Sequence, residues 1–267
     1  MIQKTSDFER ATGSVALDSI SFGQLGGIAT IFAIYRLITN KLNPKNKIVC
    51  IVFAILGFYI LLRSGSRGPL VALIAVLIFF YGFRTKNIRL NFMRIIFILG
   101  LLIIFSGLLI QILNFISPLS VSRIVEGVQG NDLSIINRQE SYNWFISQIK
   151  ENIIFGSQFA RLSNTNYPGY AHNIFLDILL GFGIFGLLLF LYIIVKTINT
   201  LIIMIINHND KYWIGLLMLY YFITSLFSGT YYSNPVLNLT ILLTLLIGAN
   251  YNNKLHGQKK AQTITIN

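Results

Sequence analysis

The chain is predicted to be all-α: a polytopic integral membrane protein with about seven transmembrane helices and one long external loop that contains an amphipathic helix. Three observations predict this. Hydrophobic residues make up 54% and charged residues 11% of the 267, with a mean hydropathy of +0.67, whereas a soluble domain carries about a quarter charged residues. The apolar residues form continuous runs rather than alternating, and backbone groups in lipid must be satisfied internally, so the runs are helices and not strands of a barrel. One polar stretch is much longer than the others, residues 114–172.

The whole chain, 1–267, reads as a single membrane domain. Four spans with the N-terminus outside occupy 1–113, the extracytoplasmic loop 114–172, three more spans 173–250, and a basic cytoplasmic tail 251–267. The polar residues 1–21 lack the apolar core of a signal peptide and are expected to have begun as an external loop behind further spans. The first span, Phe22–Ile38, is weak, with Gln24, several glycines and Arg36. Ile48–Leu62 and Pro69–Phe83 are short, about 15 residues each, and need flanking residues to complete a crossing. Phe92–Leu113 follows, closed by Pro118. Asn173–Ile206 is longer than one crossing needs, so its end is expected to project into the cytosol; Tyr212–Ser228 and Pro235–Asn250 complete the set.

Positive residues favour the cytoplasmic side. With the N-terminus outside, 13 of the 21 lysines and arginines fall inside, opposed only by Asp210, and the remaining 8 face 8 acids outside. The net charge of +12 is thus a signal of orientation and needs no nucleic acid partner. The single cysteine, Cys50, excludes an internal disulfide.

Within the loop, Gly130-Asn131-Asp132 reads as a turn, and Asn137 with Glu140 has the spacing of a capping box that starts a helix. Tyr142, Phe145, Ile149 and Ile153 follow at helical spacing beside Trp144, and Gly156 ends the helix. The helix is expected to lie against the outer membrane surface. Residues 157–171 are a Ser/Asn/Tyr/Pro/Gly loop running into His172-Asn173.

Ser64-Gly65-Ser66-Arg67-Gly68-Pro69 joins the second and third spans outside. Pro69 suits a first helical turn. Arg67 at a helix start opposes the helix dipole, but free amides plus a guanidinium bind phosphate well; the alternative is an arginine snorkelling to the interface. Arg138 is expected in the first turn of the loop helix, as an anion ligand or as a solvated partner of Glu140. His172, the only histidine placed outside, is a candidate base near pH 7 or a helix cap. One such histidine among scattered carboxylates lacks metal-ligand spacing. Asp177, one turn into the fifth span, should face a polar cavity or an arginine. Gly181-Phe182-Gly183-Ile184-Phe185-Gly186 fits G-x-G-x-x-G, but no strand precedes it, so it is read as close helix packing. Tyr220, Tyr221, Tyr231 and Tyr232 form an aromatic belt or a sugar-stacking surface.

Arg10-Ala-Thr-Gly13, Ser66-Arg67-Gly68, Arg138 with Trp144, Gly156, His172-Asn173-Ile-Phe-Leu176 and Gly183-Ile184-Phe185-Gly186 stand in an order around one external loop that resembles the O-antigen polymerase and ligase superfamily (Wzy/WaaL-type). Each piece is short; the combination covers most of the chain. Members of that superfamily usually carry more spans, and the chain corresponds to the C-terminal part of their pattern. The resemblance implies a metal-independent, inverting glycosyl transfer without a cofactor at the outer face of the bacterial plasma membrane. Its donor is a glycan on undecaprenyl pyrophosphate, held among membrane lipid, and its partner is a chain-length regulator. It implies Arg67 and Arg138 as pyrophosphate binders and His172 as the residue that orients or deprotonates the acceptor; Asp177, Arg161 and Arg63 are secondary candidates. Polymerisation of repeat units into O-antigen, capsule or exopolysaccharide is preferred to ligation onto a lipid or wall acceptor. A transporter or flippase would show related halves and charges at mid-membrane, and neither is present in the sequence. An inactive fragment or accessory subunit is the third alternative, which the DNA upstream of Met1 would test.

Overall fold

The computed structural model describes residues 18–39, 42–85, 87–104, 107, 111, 115, 133–157, 171–232 and 234–265. Arg10, Pro118, the 130–132 turn, Arg161 and the 158–170 stretch lie outside them. The described residues are helical, without strands: α1 (Ser19–Thr39), α2 (Pro44–Arg63), α3 (Arg67–Gly82), α4 (Ile88–Ile104), α5 (Leu133–Glu151), α6 (Ile174–Ile206), α7 (Tyr212–Ser225) and α8 (Pro235–Thr265). Helices thus occupy all seven segments expected to span. By length and composition α1, α2 and α6 are sufficient to cross a membrane; α3, α7 and Pro235–Tyr251 are shorter apolar helices. The polytopic, all-helical class follows.

The low hydropathy of the first span has a packing cause. Its glycines face protein: a Cβ on Gly26 would lie 2.5 Å from the Gly57 carbonyl, and one on Gly57 would lie 2.8 Å from the Gly26 carbonyl, so α1 and α2 touch backbone to backbone. Gly27 accommodates the hydroxyl end of Tyr220, and Gln24 donates to Thr224 Oγ1 at 3.4 Å. By contrast α2 turns Ile48, Val52, Phe53, Ile55 and Leu56 outward, as a lipid-facing helix does. It is also longer than expected, because Asn43 caps it by accepting from the Asn46 amide at 2.9 Å and Pro44 opens its first turn.

Two ends of the bundle are distinct. At one, Gly23 approaches Ser64 and Pro69, Gly68 lies against Phe227, and Asn173 Nδ2 donates to the Leu226 carbonyl. These contacts gather the start of α1, the α2–α3 turn, the start of α6 and the end of α7. At the other end the Tyr35 hydroxyl donates to the Asp210 carbonyl, Thr39 and Tyr212 share a hydrogen bond of 2.8 Å, and Arg84 stands over the Phe80 ring.

Several expectations are corrected or sharpened. The loop helix starts at Leu133, four residues before Asn137, so Asn137 and Glu140 do not form its cap; Arg138 therefore sits in the second turn. Its buried stripe is Ser141, Phe145 and Ile149, and Phe145 and Ile149 pack with Ala171 and Leu180, so this face of the helix lies on protein. Ile153 is exposed and beyond the helix end. Tyr220 and Tyr221 are core residues rather than a belt, Tyr220 fitting against Gly27 of α1; Tyr232 alone of the four is substantially exposed. α8 continues to Thr265, so residues 251–265 of the basic tail are helical.

Gly183 overturns the reading of the G-x-G-x-x-G run as helix packing. Its backbone (φ 65°, ψ −164°) breaks α6 in a region that only glycine enters readily. An unbroken helix would bond the Ile184 amide to the Leu180 carbonyl. Instead Ile184 N donates to the Ile153 carbonyl at 2.9 Å, and Leu180 O accepts from Ser157 N at 2.6 Å. The chain after α5 is spliced into the α6 ladder. Gly156 (φ 78°) supplies the matching turn, and a Cβ there would lie 2.6 Å from Gly183 N.

Candidate functional site

His172 precedes α6 in a left-handed backbone conformation, φ 53°, which histidine tolerates better than most residues. The residue that caps α6 is Asn173, whose Oδ1 accepts from Phe175 N at 2.9 Å and Leu176 N at 3.4 Å. Cap and strained turn together fix where the imidazole leaves the backbone. His172 is half-buried and its Nδ1 is buried. Burial lowers its pKa below the usual histidine value, and the Arg138 guanidinium lowers it further. The ring is thus held neutral at pH 7. Arg138 acts on it electrostatically from the second turn of α5, one turn before the buried Ser141.

Arg67 opens α3, half-buried, after a turn in which Gly65 has φ 65°. Ser64 is fully buried: its Oγ donates to the Leu61 carbonyl at 2.7 Å and accepts from Ser66 N at 3.2 Å. That pins the turn so that Arg67 emerges beside the first amides of α3. The α7 end links the two halves of the site, since Phe227 touches Gly68 next to Arg67 and Leu226 binds Asn173 next to His172. Arg67, Arg138 and His172 therefore converge at one end of the bundle.

The secondary candidates separate. Asp177 is buried, 1% exposed, and its Oδ2 accepts from Tyr231 N at 2.9 Å, so it ties the α7–α8 connection to the first turn of α6. Its position near a helix N-terminus suits a carboxylate. Arg63 is exposed at the end of α2, and Arg161 lies outside the described residues. No three His, Cys, Asp or Glu among the described residues lie together as a metal site.

Sequence reasoning missed a cavity of about 500 Å³ at the same end, between the starts of α1 and α8 and the end of α7. Gln24 was its only signal, a polar side chain in an apolar run that reads as a defect until a cavity gives it a surface to face.

The fold is that of a polytopic helical protein with His172, Arg138 and Arg67 toward one end of the bundle. The chain belongs to the O-antigen ligase family, whose pattern it matches over residues 52–191, more than half its length. That stretch contains Arg67, Arg138 and His172. Its function is therefore of the O-antigen ligase/polymerase type, carried out by a membrane protein of polysaccharide biosynthesis. No curated protein and no solved structure matches it.

Proposed function

We propose that the chain polymerises undecaprenyl-pyrophosphate-linked oligosaccharide units into a surface polysaccharide at the outer face of the bacterial plasma membrane. An acceptor hydroxyl of one unit attacks the anomeric carbon of the other from the side opposite the pyrophosphate. The new C–O bond forms as the bond to pyrophosphate breaks, with inversion. The hydroxyl proton passes to His172, at Nε2 because Nδ1 is buried. Arg67 and Arg138 stabilise the charge developing on the leaving pyrophosphate, a task preorganised cations perform without a metal ion. In this reading Arg67, Arg138 and His172 face the outside, and the basic end with Arg36, Arg84 and Lys211 faces the cytoplasm. A chain-length regulator acts as partner.

The observation that supports the reading is that Arg67, Arg138 and His172 all fall within the family pattern, with the α7 end touching the neighbours of Arg67 and His172. Arg67→Ala, Arg138→Ala and His172→Ala are each expected to abolish long glycan chains in cells while protein level is kept; normal chain length in all three would sink the proposal. The family description favours a second reading, ligation of the same donor onto a lipid or wall acceptor. Purified protein given only the lipid-linked repeat unit separates them: a ladder of products means polymerase, and product only after a distinct acceptor is added means ligase.

A further inference from the structure

We propose that the cavity of about 500 Å³ is a carbohydrate subsite that takes an uncharged segment of the oligosaccharide; the assignment rests on the glycan-transfer reading and deepens it. The volume is that of small-molecule sites. Asp18, Ser21, Gln24, Tyr221, Thr230 and Asn234 are among its lining, which combines carboxylate, amides and hydroxyls with an aromatic ring. Such groups match vicinal hydroxyls, each of which donates and accepts. The described lining contains no lysine, arginine or histidine, so it is unsuited to pyrophosphate. Anion and sugar are thus assigned to different parts of one end.

The polar groups are already held in place. Asp18 Oδ1 accepts from Ser21 N at 2.7 Å, Gln24 donates to Thr224, and Asn234 donates to Ser225 Oγ at 2.6 Å while accepting from Leu237 N at 3.2 Å. A lining ordered before binding lowers the entropic cost of taking up a flexible glycan. Position also fits. The α7–α8 connection is bound to Asn173 and Asp177 on its His172 side, and its residues Ser228–Thr230 line the cavity on the other. The α7–α8 connection is thus shared by the cavity and the start of α6.

The test uses the full chain in lipid nanodiscs and, as probe, lipid-free oligosaccharide released by mild acid from the source cell's own lipid-linked units. Saturation-transfer NMR is expected to show binding to the wild type, loss with Ser21→Trp, which fills the cavity, and about tenfold weaker binding with Gln24→Leu, the equivalent of one or two hydrogen bonds. In the transfer assay Gln24→Leu is expected to raise KM with kcat kept; a rise for the lipid-linked donor or for an added lipid-free acceptor assigns the segment to one or the other. No binding to the wild type, or equal binding to wild type and Gln24→Leu, overturns the subsite, and Gln24→Leu decides should Ser21→Trp fail to fold. Oligosaccharide binding by a wild type that transfers nothing from lipid pyrophosphate would sink the transfer reading and leave the subsite standing; efficient transfer with unaltered Gln24→Leu binding would do the reverse.

Discussion

At the scale of single residues, His172 is governed by what surrounds it. Burial, then Arg138, disfavours the imidazolium, so the neutral base persists to lower pH than an ordinary histidine allows. Activity is expected to fall on the acid side through a pKa below the usual histidine range. Any residual activity of Arg138→Ala should show that limb moved to higher pH, because one of the two depressing influences is gone. The pH profile of kcat/KM checks both. Asp177 is a structural group at this scale. Its hydrogen bond to the Tyr231 amide involves a buried charge, and Asp177→Ala is expected to cost about 1.5–3 kcal/mol of stability, read as a lower Tm in detergent. The sequence marked both residues because each is polar at the edge of an apolar run. It did not distinguish their roles, since those depend on the amide of residue 231 and the guanidinium of residue 138, both remote in the chain.

At the scale of elements, the splice between α5 and α6 decides how Arg138 meets His172. The packed stripe of Phe145 and Ile149 sets the face of α5, and the two backbone bonds at Ile153 and Ser157 set its register. Gly183→Ala puts a Cβ into the Ile154 carbonyl and forces a glycine-only backbone region on alanine. The expected result is release of the end of α5, seen as faster protease cleavage between residues 150 and 160, with shorter glycans at normal protein level. Unchanged cleavage would mean that the break tolerates a side chain. The helices themselves were legible from their apolar runs. The start of α5 was not: the Asn137/Glu140 spacing is a sound local signal, but the apolar Leu133, Ile135 and Ile136 before it extend the helix. The break at Gly183 was illegible for a different reason. A glycine in a helix usually marks packing, and nothing local says that its missing hydrogen bonds are made by residues 153 and 157.

For the whole molecule, segregation of the two ends gives an orientation that can be measured. In a Cys50→Ser background, Ser66→Cys is expected to react with a membrane-impermeant maleimide on intact cells, and His208→Cys only after permeabilisation. The opposite pattern would invert the topology and remove the case for an outer-face reaction. The expected orientation comes from charge placement, which depends only on counting along the chain. The convergence of Arg67 and His172 is a property of the bundle, set by the glycine contacts of α1 and the turn after α7. The shared hydrogen bonds of α5 and α6 bear also on biogenesis. Residues 153–157 leave the ribosome before 180–184, so their donor and acceptor are already waiting when the top of α6 arrives. They serve only if the preceding loop has been exported to that same side. A chain whose loop stalls leaves the Leu180 carbonyl and the Ile184 amide to bond each other, as in an unbroken helix. The break at Gly183 thus depends on residues 153 and 157 being in place to take its two backbone groups.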